Sequence, residues 1–192
     1  MKIVPALLGA CLLLTACSGT TAGAPPSGRP SPAESIPRSP TADPAAVSWM
    51  DGFCAAVHGY RERTNREADP TSPTPSTVAE AQRDLSAALG GIAARTGEAV
   101  DKLTALPAAP VPLAETARKA FVTKYTKARD RAAEAKTALD RAKPGDEASQ
   151  RPAVRALDDA QQGLDGTYDP VGAVSASPEL MLAAANAPGC KA

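Results

Sequence analysis

The chain has few aromatic side chains and a single histidine, and these shortages restrict both its core and its chemistry. Six aromatic residues make up 3% of 192 positions, while 43% of all residues are apolar. Much of that apolar content is alanine, whose methyl group buries little area. There is also no net charge, because 21 basic and 21 acidic side chains cancel. Neutrality argues against a nucleic-acid-binding protein, since such proteins carry a basic excess.

Catalytic and cofactor motifs are missing as well. The sequence contains no Gly-x-Ser-x-Gly elbow, Ser-x-x-Lys motif, phosphate-binding loop or Gly-x-Gly-x-x-Gly turn. A zinc site around His58 has no second histidine or cysteine pair to complete it. We therefore predict no enzyme, no catalytic residue, no cofactor and no metal site. His58 is interpreted as a helix-surface or capping residue that can share a helix face with Glu62.

The N-terminal residues have the pattern of an export signal. Lys2 precedes an apolar run from Ile3 to Leu14, which has signal-peptide length and is short for a bilayer span. The run ends in Leu14-Thr15-Ala16-Cys17, which resembles the lipobox of bacterial lipoproteins. The resemblance implies a signal peptide over 1–16 and a diacylglyceryl group on the Cys17 sulfur, with a further acyl chain such as palmitate on the new amino terminus. A plain secretory signal and an uncleaved membrane helix are the alternatives.

A lipidated Cys17 would hold the mature chain on the extracytoplasmic face of the cell membrane, since two or three acyl chains give stable anchoring. Residues 17–43 are assigned to the lipidated N-terminus and its tether. After Cys17 they are mostly Ser, Thr, Gly, Pro and Ala, and Ile36 is the one large apolar side chain. Such a segment cannot offset its ordering entropy, so we predict a disordered tether that spans about 28 Å on average. The folded domain is expected over 44–192.

The cysteine count predicts one disulfide. Cys11 lies in the signal and Cys17 is the lipid acceptor, which leaves Cys54 and Cys190. An even pair in an oxidising compartment favours a disulfide, with two free buried thiols as the alternative. The bridge would close a loop of about 137 residues and would contribute about 5 kcal/mol by the chain-entropy model.

Apolar residues recur at steps of three and four in four long segments and one short one, which predicts helices. Helix starts are indicated by Asp43-Pro44, by a capping box at Thr77 and by Ser177. The predicted helices run from 44 to before 69, over 77–106, over 112–143, from 146 or 149 to 164, and over 179–186. No segment alternates with period two. We predict an all-α protein, an up-down bundle of about four helices plus a short C-terminal helix.

The periodic stripes also predict which side chains face inward. Trp49, Phe53 and Tyr60 on the first helix are interpreted as core, with a ligand pocket as the alternative. Glycines 90 and 91 indicate a bend or a close helix contact. The other predicted inward residues are Ala46, Met50 and Val57 on the first helix, Val78, Ala81, Leu85, Leu89, Ile92, Ala99, Leu103 and Leu106 on the second, Ala114, Ala117, Phe121, Tyr125, Ala128, Ala132, Ala135, Leu139 and Ala142 on the third, and Val154, Leu157, Ala160 and Leu164 on the fourth.

Charge is unevenly distributed along this neutral chain. Residues 118–143 carry nine basic and three acidic side chains, and residues 146–179 carry two basic and seven acidic ones. Antiparallel packing would allow these two segments to pair with each other. The alternative is a basic ridge that docks on anionic lipid headgroups or wall polymers, with binding that falls as salt rises.

Two further segments extend the resemblance to a family. The sequences Trp49-Met50-Asp51-Gly52-Phe53-Cys54 and Ala187-Pro188-Gly189-Cys190, together with the lipobox, look like those of small actinobacterial lipoproteins. The resemblance implies an envelope location and a disulfide-stapled helical domain, but it does not indicate an activity.

Two functions follow as hypotheses. The first is a non-catalytic interaction module that binds another envelope protein or a wall polymer, and the second is a carrier of a lipid or other small apolar ligand. A cavity between the helices would favour the carrier, whereas a close-packed interior would favour the module. No ligand-binding residue is predicted.

Overall fold

Helices account for nearly all of the regular structure. The computed structural model describes residues 41–67 and 74–191. These ranges contain no β-strand, and their α-helices are α1 (Pro44–Glu67), α2 (Val78–Thr104), α3 (Pro112–Arg141), α4 (Glu147–Gly163) and α5 (Pro178–Asn186), with 3₁₀-helices at Gly172–Val174 and Pro188–Cys190. The predicted all-α class is confirmed. The predicted signal peptide, the lipobox and most of the tether lie outside the described residues.

Local sequence signals set several helix ends. The Thr77 hydroxyl accepts the Glu80 N–H at 3.1 Å, and the Glu80 carboxylate accepts the Thr77 N–H at 3.2 Å. The predicted capping box at the start of α2 is therefore present. Ser177 caps α5 by accepting a backbone N–H at 3.3 Å. After α3, Gly145 has a φ of +80°, a left-handed conformation that glycine adopts without steric strain.

Each of the first three helices packs antiparallel to the next one. Along each pair of neighbouring helices the contacts run in opposite order. Arg63–Glu98 and Glu67–Arg95 join α1 to α2, and Gln82–Leu139 and Gly97–Arg129 join α2 to α3. Arg131–Asp159 joins α3 to α4, and Lys124–Asp165 lies just beyond the end of α4. The short α5 and the C-terminal 3₁₀-helix pack on α1. The predicted up-down bundle is confirmed.

Five of the six aromatic side chains are gathered in the core, and the sixth, Tyr168, is 40% exposed. Trp49 stacks on Phe53 with ring centroids 4.9 Å apart, and Phe53 in turn contacts Phe121 at 5.1 Å. Tyr60 and Tyr125 meet edge to face at 5.1 Å. All five side chains are buried. Their interpretation as core is confirmed.

Two of the predicted inward valines are exposed. Val154 on α4 is 45% exposed and Val78 at the start of α2 is 42% exposed. On α4 the buried face consists of alanines, including Ala153, and Val154 points about 100° away from that residue. In the first turn of α2 the buried position belongs to Gln82, which donates to the Leu139 carbonyl at 3.1 Å and accepts the N–H of the turn after α3 at 2.9 Å. The prediction for both valines was wrong.

Gly90 and Gly91 do not interrupt α2, which runs continuously from Val78 to Thr104. A Cβ at Gly90 would lie 3.2 Å from the Lys136 Cε atom of α3. Of the two predicted readings, a bend or a close contact, the structure shows the close contact.

Candidate functional site

The two cysteines of the folded region are joined. Cys54 on α1 and Cys190 in the C-terminal 3₁₀-helix form a disulfide with Cα atoms 4.9 Å apart. The predicted disulfide is confirmed, and the alternative of two free thiols is wrong. Cys17, the predicted lipid acceptor, lies outside the described residues, so its lipidation stays a prediction.

Asp51, Cys54 and His58 lie on one face of α1 and hold the C-terminal segment. With Gly189 and Cys190 they form what we call the C-terminal clamp. The Asp51 carboxylate accepts the Gly189 N–H at 2.6 Å, and His58 Nδ1 lies 2.9 Å from the Gly189 carbonyl oxygen. A carbonyl oxygen only accepts, so Nδ1 carries the proton and donates. One covalent bond and two hydrogen bonds therefore tie the chain end to α1.

His58 is buried, which contradicts its interpretation as a surface or capping residue. Only 6% of it is exposed. Its suggested neighbour Glu62 is exposed and lies 3.9 Å from Arg66 instead. The spacing of Asp51, Cys54 and His58 already indicated one helix face, but that face is buried only because the C-terminal segment returns to it.

Close approach at the clamp makes Gly189 sensitive to substitution. A Cβ there would lie 2.6 Å from the Asp51 backbone oxygen, which a rigid helix holds in place. We expect Gly189→Ala to lower the free energy of unfolding by about 1–3 kcal/mol, measured by chemical denaturation. Gly163→Ala is the matched control, because a Cβ at that position meets nothing within 4 Å. Equal effects of the two substitutions would contradict the close contact.

Ser86, Lys136 and Asp140 form a polar cluster between α2 and α3. The Ser86 hydroxyl donates to Asp140 Oδ1 at 2.5 Å, while the Lys136 ammonium donates to Asp140 Oδ2 at 2.5 Å and to the Ser86 oxygen at 3.2 Å. Ser86 and Asp140 also line a surface groove of about 650 Å³. The sequence analysis missed this cluster, because its members lie far apart in the chain and meet only through helix packing.

This cluster is poorly suited to nucleophilic catalysis. A serine becomes a nucleophile when a neighbouring base takes its proton. Hydrogen bonds from Lys136 and then from Ser86 lower the pKa of the Asp140 carboxyl, which makes it a weak base. Lys136 donates its protons to Asp140 and Ser86, so it accepts none. The geometry therefore supports a polar link between α2 and α3.

A second surface groove, between α3 and α4, is lined by three cationic side chains. We call it the basic groove; its volume is about 580 Å³ and its α3 wall carries Lys124, Lys127 and Arg131. Steps of three and four residues place these side chains on one side of α3. The α4 wall consists of Asp159, Ala160, Gln162 and Gly163.

The predicted charge pairing between α3 and α4 forms only in part. Arg131 meets Asp159 at 3.0 Å, with side chains 50% and 57% exposed. Lys124 donates to the backbone oxygen of Asp165. Lys127 makes neither an ion pair nor a hydrogen bond within the part of the chain that the structure describes. The basic groove therefore keeps a cationic wall.

Helix packing divides the predicted basic ridge into two sides. Arg129 lies beside Gly97 of α2, and Lys136 lies against Gly90 and donates to Ser86. These cations face α2, whereas those of the basic groove face α4. Successive residues of α3 point in different directions around its axis, so cations that are close in sequence lie on different sides of the helix.

The contact between α1 and α2 is filled. Side chains around Gly59, Tyr60 and Ala99 leave no space there for a water molecule. Ion pairs Arg63–Glu98 and Arg95–Glu67 close the outside of the same contact. Side chains therefore fill this part of the α1–α2 contact, while a separate depression of about 720 Å³ opens between α1, α2 and α4, with Glu67, Ile92 and Leu157 in its lining.

No described helix is both long and apolar enough to cross a bilayer, and over the same residues no three His, Cys, Asp or Glu side chains converge to hold a metal ion. Comparison with family models, curated proteins and solved structures finds no match to this chain.

Proposed function

We propose that the chain is a lipid-anchored interaction module on the extracytoplasmic face of the cell membrane, without catalytic activity. The anchor is Cys17, at the end of a lipobox-like sequence that follows an apolar signal. The Cys54–Cys190 disulfide supports this setting, since such bonds persist in oxidising compartments outside the cytosol.

The basic groove is the observation that carries the binding role. It is an open surface depression whose α3 wall presents Lys124, Lys127 and Arg131. Cations arranged along a groove attract anionic partners and orient them. An anionic component of the envelope is thus the class of partner that this surface suits.

Packing between the helices favours an interaction module over a carrier. Side chains fill the α1–α2 contact around Tyr60, and the depressions of about 580, 650 and 720 Å³ open at the surface with charged side chains in their linings. Carrier sites are enclosed and mostly apolar, because they must shield a lipid from water. These open depressions lack that enclosure.

The anchor is tested by metabolic labelling with a clickable fatty acid in a bacterium that processes lipoproteins. We expect the full chain to be labelled and to sediment with membranes. Cys17→Ala should abolish the label, because the acylated sulfur is gone. Cys11→Ala is the matched control, since it removes a cysteine of the same apolar run and should leave labelling unchanged.

Three results would contradict the proposed function. An unlabelled wild-type chain, or a label that survives Cys17→Ala, would exclude the anchor at that residue. A lipid-sized adduct on the folded domain in native mass spectrometry, after release from the anchor, would instead indicate the carrier. We expect the mass of the bare, disulfide-bonded domain.

A further inference from the structure

We propose that the basic groove docks on anionic phospholipid headgroups of the membrane that holds the chain. The feature that carries this inference is the strip of Lys124, Lys127 and Arg131 on one side of α3, beside a depression of about 580 Å³. The inference rests on the proposed function, because the lipid anchor brings the groove and the membrane together.

The three cations form a strip and not a single point. Seven residues separate Lys124 from Arg131, which is about 10 Å along a helix axis. Ammonium and guanidinium groups bind phosphate oxygens through charge-assisted hydrogen bonds. A strip of this length suits several headgroups lying side by side, whereas one small anion needs donors that converge on it.

These side chains are free to change partners. The Arg131–Asp159 ion pair is about half exposed on both sides, and exposed ion pairs contribute little to stability. Lys127 has no ion pair to give up within the described residues. Lys124 donates to a backbone carbonyl at the exposed end of α4. Headgroup phosphates can therefore replace or join the present acceptors without unfolding the bundle.

Acidic side chains limit the strength of this attraction. Asp158, Asp159 and Asp165 are exposed on or just after α4, next to the cationic wall. The basic groove alone should therefore bind weakly, and the acyl chains supply the second attachment that stable membrane binding requires. Because Cys17 precedes the start of α1 by only 27 residues, an anchor at Cys17 keeps headgroups at high effective concentration near the groove. The anchor gives a wall polymer no such increase in effective concentration, and the membrane is therefore the partner that the groove suits better.

The test uses the chain from Ser18 onward, exported behind a signal peptide without a lipobox, so that no acyl chain contributes. Flotation is measured with vesicles of phosphatidylcholine alone and with vesicles that contain about one third phosphatidylglycerol. We expect binding to the anionic vesicles only. The binding should fall steeply between about 0.05 and about 0.5 M salt, because screening shortens the range of charge attraction.

A pair of triple variants distinguishes the groove from net charge. Lys124→Gln, Lys127→Gln and Arg131→Gln together should weaken vesicle binding at least about tenfold, since each cation near an anionic surface contributes roughly fivefold. Lys119→Gln, Arg141→Gln and Lys143→Gln remove the same charge from exposed positions outside the groove and should cost less than about threefold. Lys127→Arg keeps the charge and should bind as the wild type does. Circular dichroism checks that each variant is folded.

Several outcomes would overturn the inference: equal losses in the two triple variants, equal binding to neutral and anionic vesicles, or no vesicle binding at all. Binding to soluble inorganic polyphosphate without binding to vesicles would also overturn it and indicate a wall polymer. The Cys17 label separates this inference from the proposed function. A labelled chain that ignores vesicles keeps the anchor and loses the docking surface, whereas an unlabelled chain removes the anchor itself.

Discussion

Loss of the Cys54–Cys190 disulfide is expected to lower the free energy of unfolding by about 5 kcal/mol. The bond joins residues 136 positions apart, so it restricts almost the whole folded domain in the unfolded state. Small domains have total stabilities of about 5–15 kcal/mol, and this change is a large part of that range. The suitable variant combines Cys54→Ala with Cys190→Ser, because Cys54 is fully buried and Cys190 is partly exposed.

The same loss should release the C-terminal clamp. Without the covalent bond, the hydrogen bond that Gly189 donates to Asp51 and the one it accepts from His58 contribute about 1 kcal/mol each. Ordering each residue of the chain end costs about 1–2 kcal/mol, which exceeds that contribution. We therefore expect fast amide exchange at residues 187 and 189–191 of the variant, and slow exchange there in the wild type.

Guanidinium unfolding of the chain from Ser18 onward, followed by circular dichroism, measures this difference. That chain has no cysteines except the clamp pair. Adding a reducing agent should destabilise the wild type by a similar amount and leave the double variant unchanged. A difference below about 1 kcal/mol between the two proteins would contradict the role of loop closure.

Trp49→Ala is expected to destabilise the domain by about 3–5 kcal/mol. Trp49 is fully buried and stacks on Phe53, which contacts Phe121 of α3. With so few aromatic side chains in the chain, no neighbour can fill the space that the indole leaves. The lost free energy of unfolding therefore consists mainly of the transfer free energy of the indole and the cost of the cavity that it leaves.

Trp49→Phe is the matched control. It keeps a stacked ring and removes the indole N–H, which has no acceptor among the described residues. Its cost should be about 1 kcal/mol, because a smaller ring replaces a larger one without exposing a polar group. A folded, stable Trp49→Ala protein that had lost only vesicle binding would contradict the core role and make Trp49 part of a binding site.

Helix boundaries and the disulfide were predictable because their causes are local or few. Thr77 and Glu80 cap α2 through contacts three residues apart, and no tertiary partner is needed for them. Cys54 and Cys190 were paired by elimination within one compartment. Alanine stripes on α3 predicted its buried face, because periodicity reports the side of a helix that avoids water.

Burial of polar and aliphatic positions was less predictable. Val154 is exposed because α4 packs through a face of alanines. In the sequence alone, a stripe that contains valine and leucine side chains is equally suitable as the buried face. Gln82 is buried because it bridges the end of α3 to the following turn. His58 is buried because residue 189 folds back on it. The burial of Gln82 and of His58 depends on partners more than 50 residues away along the chain.

The sequence by itself determined the helical class, the helix ends, the partner of each domain cysteine and the presence of one strongly basic segment. These follow from spacing, capping and composition, which act over a few residues. Tertiary structure alone decided how that segment is divided, because the rotation of α3 between two neighbours sends Arg129 and Lys136 toward α2 and Lys124, Lys127 and Arg131 toward α4. Helix periodicity defines directions around an axis, but only packing decides which direction faces a neighbour and which faces a partner outside the chain.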